Sequence, residues 1–260
     1  MEPVLVSLEA GVLRVTLNRP ERLNAFNVEL HQGLAAAMTR AESEAAVRCL
    51  LITGAGRGFC AGADLTQRDM KSSAPIDLGS GLETWYNPLV LRMRALPKPV
   101  VCAVNGVAAG AGANFALACD LVLAARSASF IQAFVKIGLV PDCGGSYFLP
   151  RMAGTQRAMA LAMTGDRLSA EDAERWGLIW KCVDDAELGK ESEELALHLA
   201  SGPTKSLGLI KKAIYSSANN DLAAQLDLER DLQREIGLGS DYREGVAAFL
   251  EKRKPQFKGQ

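Results

Sequence analysis

A single carboxylate, Asp142, stands between a proline and two glycines in "GLVPDCGGS" (residues 138–146). An aspartate in such a turn has two uses. It can cap the helix that begins near Gly144, which is the commoner use. It can also act as a general acid or base, if a water-poor pocket raises its pKa so that it takes and returns a proton near neutrality. Its neighbours Val140, Cys143 and Phe134 are apolar enough to form such a pocket. The lead-in, residues 137–141, reads as a buried strand ending at a tight turn.

Two more glycine-rich loops could hold a ligand. "TGAGRGFCAGAD" (53–64) puts Gly54 and Gly56 where a dinucleotide fingerprint needs them, but Phe59 takes the third glycine position and no G-K-S/T follows. A plain tight turn is the stronger reading. "GVAAGAGANFALACD" (106–120) is rich in small residues and then turns helical. A helix starting near Gly110 leaves its first amides without intrahelical acceptors, at the positive end of the dipole. That suits an anion, or an oxygen becoming one. Close helix packing uses the same small residues equally well.

The elements that must position these loops follow from the apolar pattern. "VLVSL" and "LRVTL" around "EAG" predict an opening hairpin. Asn27 predicts the cap of a helix running to about residue 46, with Leu30, Leu34, Ala37, Met38 and Ala41 on its buried face. "CLLITG", "PKPVVCAVNG" and "LVLAA" read as short buried strands, and residues 129–137 contain another. Residues 70–80 are polar with Pro and Gly and read as a mobile insert, followed by a helix to about Ala95. From Gly154 onward helices dominate, ending in two with polar faces over 221–236 and 241–253. Strand–turn–helix units recur without a fixed period, which indicates an α/β class: a core over residues 1–200 and a helical region over 201–260.

Composition excludes several functions. The formal net charge of −1 offers no global basic field for nucleic acid or an anionic membrane. No apolar run reaches the roughly 18 residues of a membrane span. The N-terminus "MEPVLVSLEAGVL" carries an acid where a signal peptide is positive, so a cytoplasmic location is expected. Six cysteines lack C-x-x-C spacing, and the two histidines, His31 and His198, fall on helix-like stretches. Reduced thiols and no metal are therefore expected.

"ERLNAF", "GRGFCAGADL", "AVNGVAAGAGANFALACDLVLAA", "IGLVPDCGGS", "LPRMAG", "AMTGDRLSAEDAERWGLIW" and the tail "FLEKRKPQFKG" occur in the order and spacing of the crotonase (enoyl-CoA hydratase/isomerase) superfamily. The chain resembles that family over essentially its whole length. The resemblance implies a spiral of ββα units whose C-terminal helices build a homotrimer or a dimer of trimers and cover the active site. It implies an acyl-CoA thioester substrate, with CoA as part of the substrate and no separate cofactor, and an enolate held by two backbone amides. Carried over by position, those amides are Ala63 and Ala111. The CoA-contacting positions are Arg22, Ala25, Ala61, Ala63, Asp64, Leu65, Thr66 and Gly110, with Lys258 beside Phe257 on the tail reaching CoA of a neighbouring subunit. Asp64 also reads as a loop or capping group.

The departures from the family matter more. Its hydratases activate water with two glutamates, and this chain has Asn114 and Phe134 at those positions. An amide cannot serve as a carboxylate base and a phenyl ring cannot act at all. Asn114 is expected instead to shape the acyl pocket or orient substrate, and residues 70–85 to line that pocket. Asp142 stands where the hydratases have glycine. Isomerases of the superfamily place a proton-shuttling acid there, and the dehalogenase branch a nucleophile in a histidine environment that this chain lacks. The resemblance thus implies an acyl-CoA isomerase that shifts double bonds or rearranges an epoxide. A hydratase and a non-catalytic acyl-CoA-binding subunit are the competing classes.

Overall fold

In the computed structural model, which describes residues 2–67 and 77–260, the chain opens with the expected antiparallel hairpin of Val4–Glu9 (β1) and Val12–Leu17 (β2). Val28–Ser43 forms α1, whose cap is Asn27: its Oδ1 accepts the Leu30 N–H at 2.9 Å. The predicted face of α1 (Leu30, Leu34, Ala37, Met38 and Ala41) is buried, and His31 is buried with it.

From there the chain advances in units of two strands and a helix. Cys49–Gly54 (β3) leads into Gly58–Cys60 (β4), Val100–Val104 (β5) into Val107–Ala109 (β6), and Leu121–Ala125 (β7) into Ser129–Ile131 (β8). Helices close the units: Leu78–Gly81 (α2) and Asn87–Ala95 (α3), joined by a wider turn over Leu82–Tyr86; then Ala111–Leu117 (α4); then Gly145–Ala153 (α5). The remainder runs Thr155–Thr164 (α6), Arg167–Ser169 (β9), Ala170–Arg175 (α7), Lys181–Val183 (β10), Leu188–Ser201 (α8), Thr204–Ser216 (α9), Leu222–Gly237 (α10) and Ser240–Leu250 (α11).

In each unit the first strand joins one sheet and the second strand joins another. The larger sheet has the order β1-β2-β3-β5-β7-β10, and the smaller β4-β6-β8-β9. From β2 to β10 every pairing in the larger sheet is parallel. Such strands are covered on both faces, which is why "VVCAV" is apolar and buried throughout. Helix α8 packs across β2, β3, β5 and β7. In the smaller sheet β4, β6 and β8 are adjacent and parallel, so the three loops that leave their C-terminal ends emerge side by side. Those are the three glycine-rich loops of the sequence.

Some expectations need correction. Residues 137–141 are not a buried strand. Ala133–Ile137 is a short 3-10 helix ended by Gly138 at φ 71°, and Ile137 and Val140 are 52% and 79% exposed. The expected insert at 70–80 falls largely on residues outside the described ones. Its described end is a capped helix start, with Asp77 Oδ1 accepting from the Gly79 and Ser80 N–H groups. Helix α11 stops at Leu250, short of the expected residue 253. Among the described residues no helix is long and apolar enough to cross a membrane.

Candidate active site

The first two loops touch through a glycine. Gly62 has φ 89°, and a Cβ on it would lie 2.8 Å from the Ala109 carbonyl oxygen and 3.5 Å from the Ala111 nitrogen. Only a residue without a side chain allows this approach. On the other side of Gly62, Phe26 N–H donates to the Gly62 carbonyl at 2.7 Å, and Asp64 N–H donates to the Phe26 carbonyl at 2.8 Å. These two bonds flank Ala63 and do not use its own N–H. Ala111 is the first residue of α4, after Gly110 at φ 54°, and its N–H precedes the Asn114-to-Gly110 bond (3.2 Å). It therefore has no intrahelical acceptor. Among the described residues neither amide has a hydrogen-bond partner, and the two sit on adjoining backbone.

Neighbouring groups hold this pair of loops. Arg19 Nη2 lies 2.9 Å from Asp64 Oδ2, and its Nη1 donates to the Ala25 carbonyl at 2.5 Å. Asn24, fully buried, accepts the Arg19 N–H at 2.8 Å and donates to the carbonyls of Ala55, Gly58 and Phe59. Asp64 Oδ1 accepts from the Thr66 hydroxyl at 2.6 Å and from its N–H at 3.1 Å. The Thr66 hydroxyl first, against opposing burial, and then Arg19 hold the Asp64 carboxyl below its ordinary range. Asp64 is the loop-capping group that its position suggested, and it stays ionised. Arg19 and Asn24 were not singled out from sequence, because hydrogen bonds to distant carbonyls leave no local pattern.

The expected CoA-contacting positions fall into one continuous surface only in part. Ala61 N–H donates to the Leu23 carbonyl at 2.9 Å, and a bridge pairs Phe26 with Ala63, so the segment holding Arg22 and Ala25 lies against the one holding Ala61 to Thr66. Arg22, Leu65 and Thr66 are exposed, Ala61 and Ala63 half-buried, Ala25 and Gly110 buried. Lys258 is elsewhere. Its N–H and that of Gly259 donate to the Asp241 carboxylate at 2.7 Å, and Arg48 binds the Phe257 carbonyl, which folds the tail onto its own chain. Among the described residues no hydrogen bond or ion pair joins Lys258 to the two loops.

Asp142 lies in the third loop. The cap position of α5 is Gly144, which has no side chain to offer. The Asp142 carbonyl accepts the Gly145 N–H at 2.9 Å and the Asn114 Nδ2 at 2.8 Å. Cys143 at φ 51° and Gly144 at φ 81° complete a sharp reversal, a costly conformation for cysteine. Carboxylate Oδ1 of Asp142 is buried, while the residue as a whole is half-buried. Of the apolar neighbours, Val140 is 79% exposed, while Phe134 and Cys143 are 6% and 2% exposed. The Phe134 ring lies 3.7 Å from where a Gly110 Cβ would stand. Burial first, and then the Asp142 charge, pushes the Cys143 thiol well up, and burial takes Cys60 to about 12, so neither is a nucleophile at neutral pH.

Asn114, expected to shape the acyl pocket or orient substrate, is held from both sides. It is fully buried, and both ends of its amide are occupied: Nδ2 donates to Asp142, and Oδ1 accepts Gln132 Nε2 at 2.9 Å. A Cβ on Gly145 would overlap that amide, so α5 starts in contact with α4. Ala111 and Asn114 lie three residues apart on α4, about 4.5 Å along its axis. The backbone of Asp142 is thus tied to α4 through a side chain about one turn from Ala111, and an acid and a helix-start amide are the two groups needed to move a proton beside a carbonyl whose oxygen gathers charge. No second acid stands at 114 or 134. A cavity of about 640 Å³, lined by Val90, Leu91, Tyr147 and Phe148, reaches Gly144, two residues from Asp142.

The Enoyl-CoA hydratase/isomerase family model matches residues 7–260. The chain is 59% identical over 260 residues to 1,2-epoxyphenylacetyl-CoA isomerase of Escherichia coli (strain K12), spanning 100% of this chain and 99% of that protein. It is 37% identical over 258 residues to trans-2-decenoyl-(acyl-carrier-protein) isomerase of Streptococcus mutans serotype c, spanning 98% of each. The crystal structure of an enoyl-CoA hydratase from Polaromonas sp. JS666 superposes with a TM-score of 0.92 at 36% identity, over 98% of this chain and 99% of that one.

Proposed function

The chain belongs to the enoyl-CoA hydratase/isomerase family and is an isomerase, and we propose that it acts on an acyl-CoA thioester, converting ring-1,2-epoxyphenylacetyl-CoA to oxepin-CoA, with double-bond shifts in enoyl-CoAs as the related reaction. The observation that carries this reading is the Asp142 backbone held through Asn114 to the helix that begins at Ala111, with no acid at 114 or 134. The 59% identity to 1,2-epoxyphenylacetyl-CoA isomerase supports the choice of acyl group.

The thioester carbonyl accepts from the Ala63 and Ala111 N–H groups. Asp142 takes the proton from the carbon next to it, and the electron pair moves onto the carbonyl oxygen as an enolate. When the pair returns, protonated Asp142 delivers the proton to a different carbon. In an enoyl-CoA the double bond has then shifted. In the epoxide, the bond shared by the three- and six-membered rings breaks, and the oxygen enters a seven-membered ring. Nothing is added or lost, as an isomerase requires. Each amide lowers such a barrier by about 2.7–4 kcal/mol and proton transfer speeds the step roughly 10²–10⁴-fold, so neither suffices alone.

CoA lies along Arg22, Ala25 and Ala61 to Thr66, with Gly110 behind the thioester, and Phe134 walls the acyl group. The helices over 201–260 assemble trimers or dimers of trimers in the cytoplasm, and Lys258 reaches CoA of a neighbouring copy. Exposed Leu222, Phe249 and Leu250, at 74%, 83% and 73%, support such an assembly. A panel of acyl-CoAs tests the reading. Isomerisation of the epoxide and of 3-enoyl-CoAs is expected; water addition to crotonyl-CoA at an equal or greater rate would overturn it in favour of a hydratase, and binding without turnover in favour of a non-catalytic subunit.

A further inference from the structure

We propose that Gln132 and Asn114 form a two-amide post that fixes the Asp142 backbone, making both of them positioning residues for the proton transfer. This rests on Asp142 being the acid/base. The polarity of the post is set at one end. A backbone carbonyl can only accept, so Asn114 must turn Nδ2 to Asp142, at 2.8 Å, and Oδ1 away from it. That oxygen then needs a donor, which Gln132 Nε2 supplies at 2.9 Å. Gln132 is 2% exposed and Asn114 fully buried, so water does not stand in for either partner.

Stability alone does not explain Gln132. Its Oε1 is buried with no hydrogen-bond partner among the described residues. A methionine of similar length would remove that cost, and with it the donor that orients Asn114. The glutamine keeps the donor and leaves its own acceptor unsatisfied. What it secures is the Asp142–Cys143–Gly144 reversal, which carries positive φ at Cys143 and whose Asp142 carbonyl accepts from both Gly145 N–H and Asn114. Because Asn114 shares α4 with Ala111, the post also sets the distance between the acid and one of the two amides. The side chain at a hydratase's glutamate position is here a strut for the acid that replaces it.

The test compares Gln132→Met, Gln132→Glu, Asn114→Leu and the double variant Gln132→Met/Asn114→Leu with Asp142→Asn, using isomerisation kinetics, with thermal denaturation to establish folding. Gln132→Met is expected to lower kcat about 10- to 100-fold, the scale of an ångström-sized misplacement, with KM within about threefold. Gln132→Glu keeps the shape but, once ionised, offers only acceptors to Asn114 Oδ1, so it should lose at least as much at high pH and regain activity as the pH falls and the carboxyl recovers a donor. The double variant should lose no more than Asn114→Leu, because both changes cut one chain of bonds. If Gln132→Met does not fold, Asn114→Leu against Gln132→Glu carries the comparison. Inactive Asp142→Asn together with near-normal kcat in the Gln132 variants overturns the post and leaves the acid in place. A rise in KM alone, or losses that multiply in the double variant, also overturns it. Full activity in Asp142→Asn removes the acid and the post together.

Discussion

The Ala111 amide nitrogen lies 3.5 Å from the point that a Cβ on Gly62 would occupy. The two loops expected to share a thioester oxygen are thus held at a separation that any side chain at 62 would widen.

Gly62→Ala is accordingly expected to fold and to lose activity. The new methyl would meet the Ala109 carbonyl at 2.8 Å in a backbone at φ 89°, so one amide must move. Loss of one such donor lowers kcat roughly 10²–10³-fold. Steady-state kinetics beside a melting curve checks this, and kcat within threefold of wild type would contradict it.

Arg19→Met is expected to destabilise more than Asp64→Asn. The pair is nearly dry, with side chains 14% and 4% exposed, and removing Arg19 leaves a buried carboxylate with Thr66 as its hydrogen-bond donor among the described residues. Roughly 2–4 kcal/mol is expected for Arg19→Met, below the full cost of stranding a buried charge. About 1 kcal/mol is expected for Asp64→Asn, where a neutral group remains. Urea denaturation of both variants measures the order, and equal losses would contradict it.

His31 makes the fold sensitive to acid. It stacks on Phe26 at 4.9 Å and on Trp85 at 5.6 Å, and burial lowers its pKa from 6.5 to about 4. The unfolded chain therefore binds a proton at His31 that the folded chain refuses. The folded state has its full His31 contribution above pH 6.5 and loses it as pH falls toward 4. The loss is at most roughly 3 kcal/mol. His31→Leu should flatten stability against pH in that window; an unchanged slope would show that other groups set it.

Size-exclusion chromatography with light scattering is expected to give a particle of three or six 27.7 kDa chains. A fully active single chain would contradict the assembly proposed for the C-terminal helices. Ile137 and Val140, apolar yet 52% and 79% exposed, bear on the same question. Both look like core residues in the sequence and neither is in the core of one chain.

That mismatch marks what was legible in the sequence. Periodicity revealed the buried face of α1, and the Asn27 cap followed from residue type, because both are local. The apolar runs of β3, β5 and β7 were also plain. The spiral itself came from the family resemblance and not from periodicity, because its strands start at unequal intervals, at Cys49, Val100 and Leu121. The side-by-side exit of the three loops depends on β4, β6 and β8, which have three residues each, too few for a pattern. The role of Asn114 could not be read, since a fully buried amide and a substrate-binding amide have the same letter. Its partner Gln132 gave no signal at all. For Asp142 one letter serves both the reagent and the cap reading, and the cap position of α5 is Gly144.

That Asp142 carries the proton is tested most directly by the isomerisation rate of Asp142→Asn, measured with thioester affinity and melting temperature shown to be near wild type. The expected result is a kcat lowered about 10²–10⁴-fold, the scale of general acid–base catalysis. A variant that binds the thioester and still isomerises it at close to the wild-type rate would contradict the assignment.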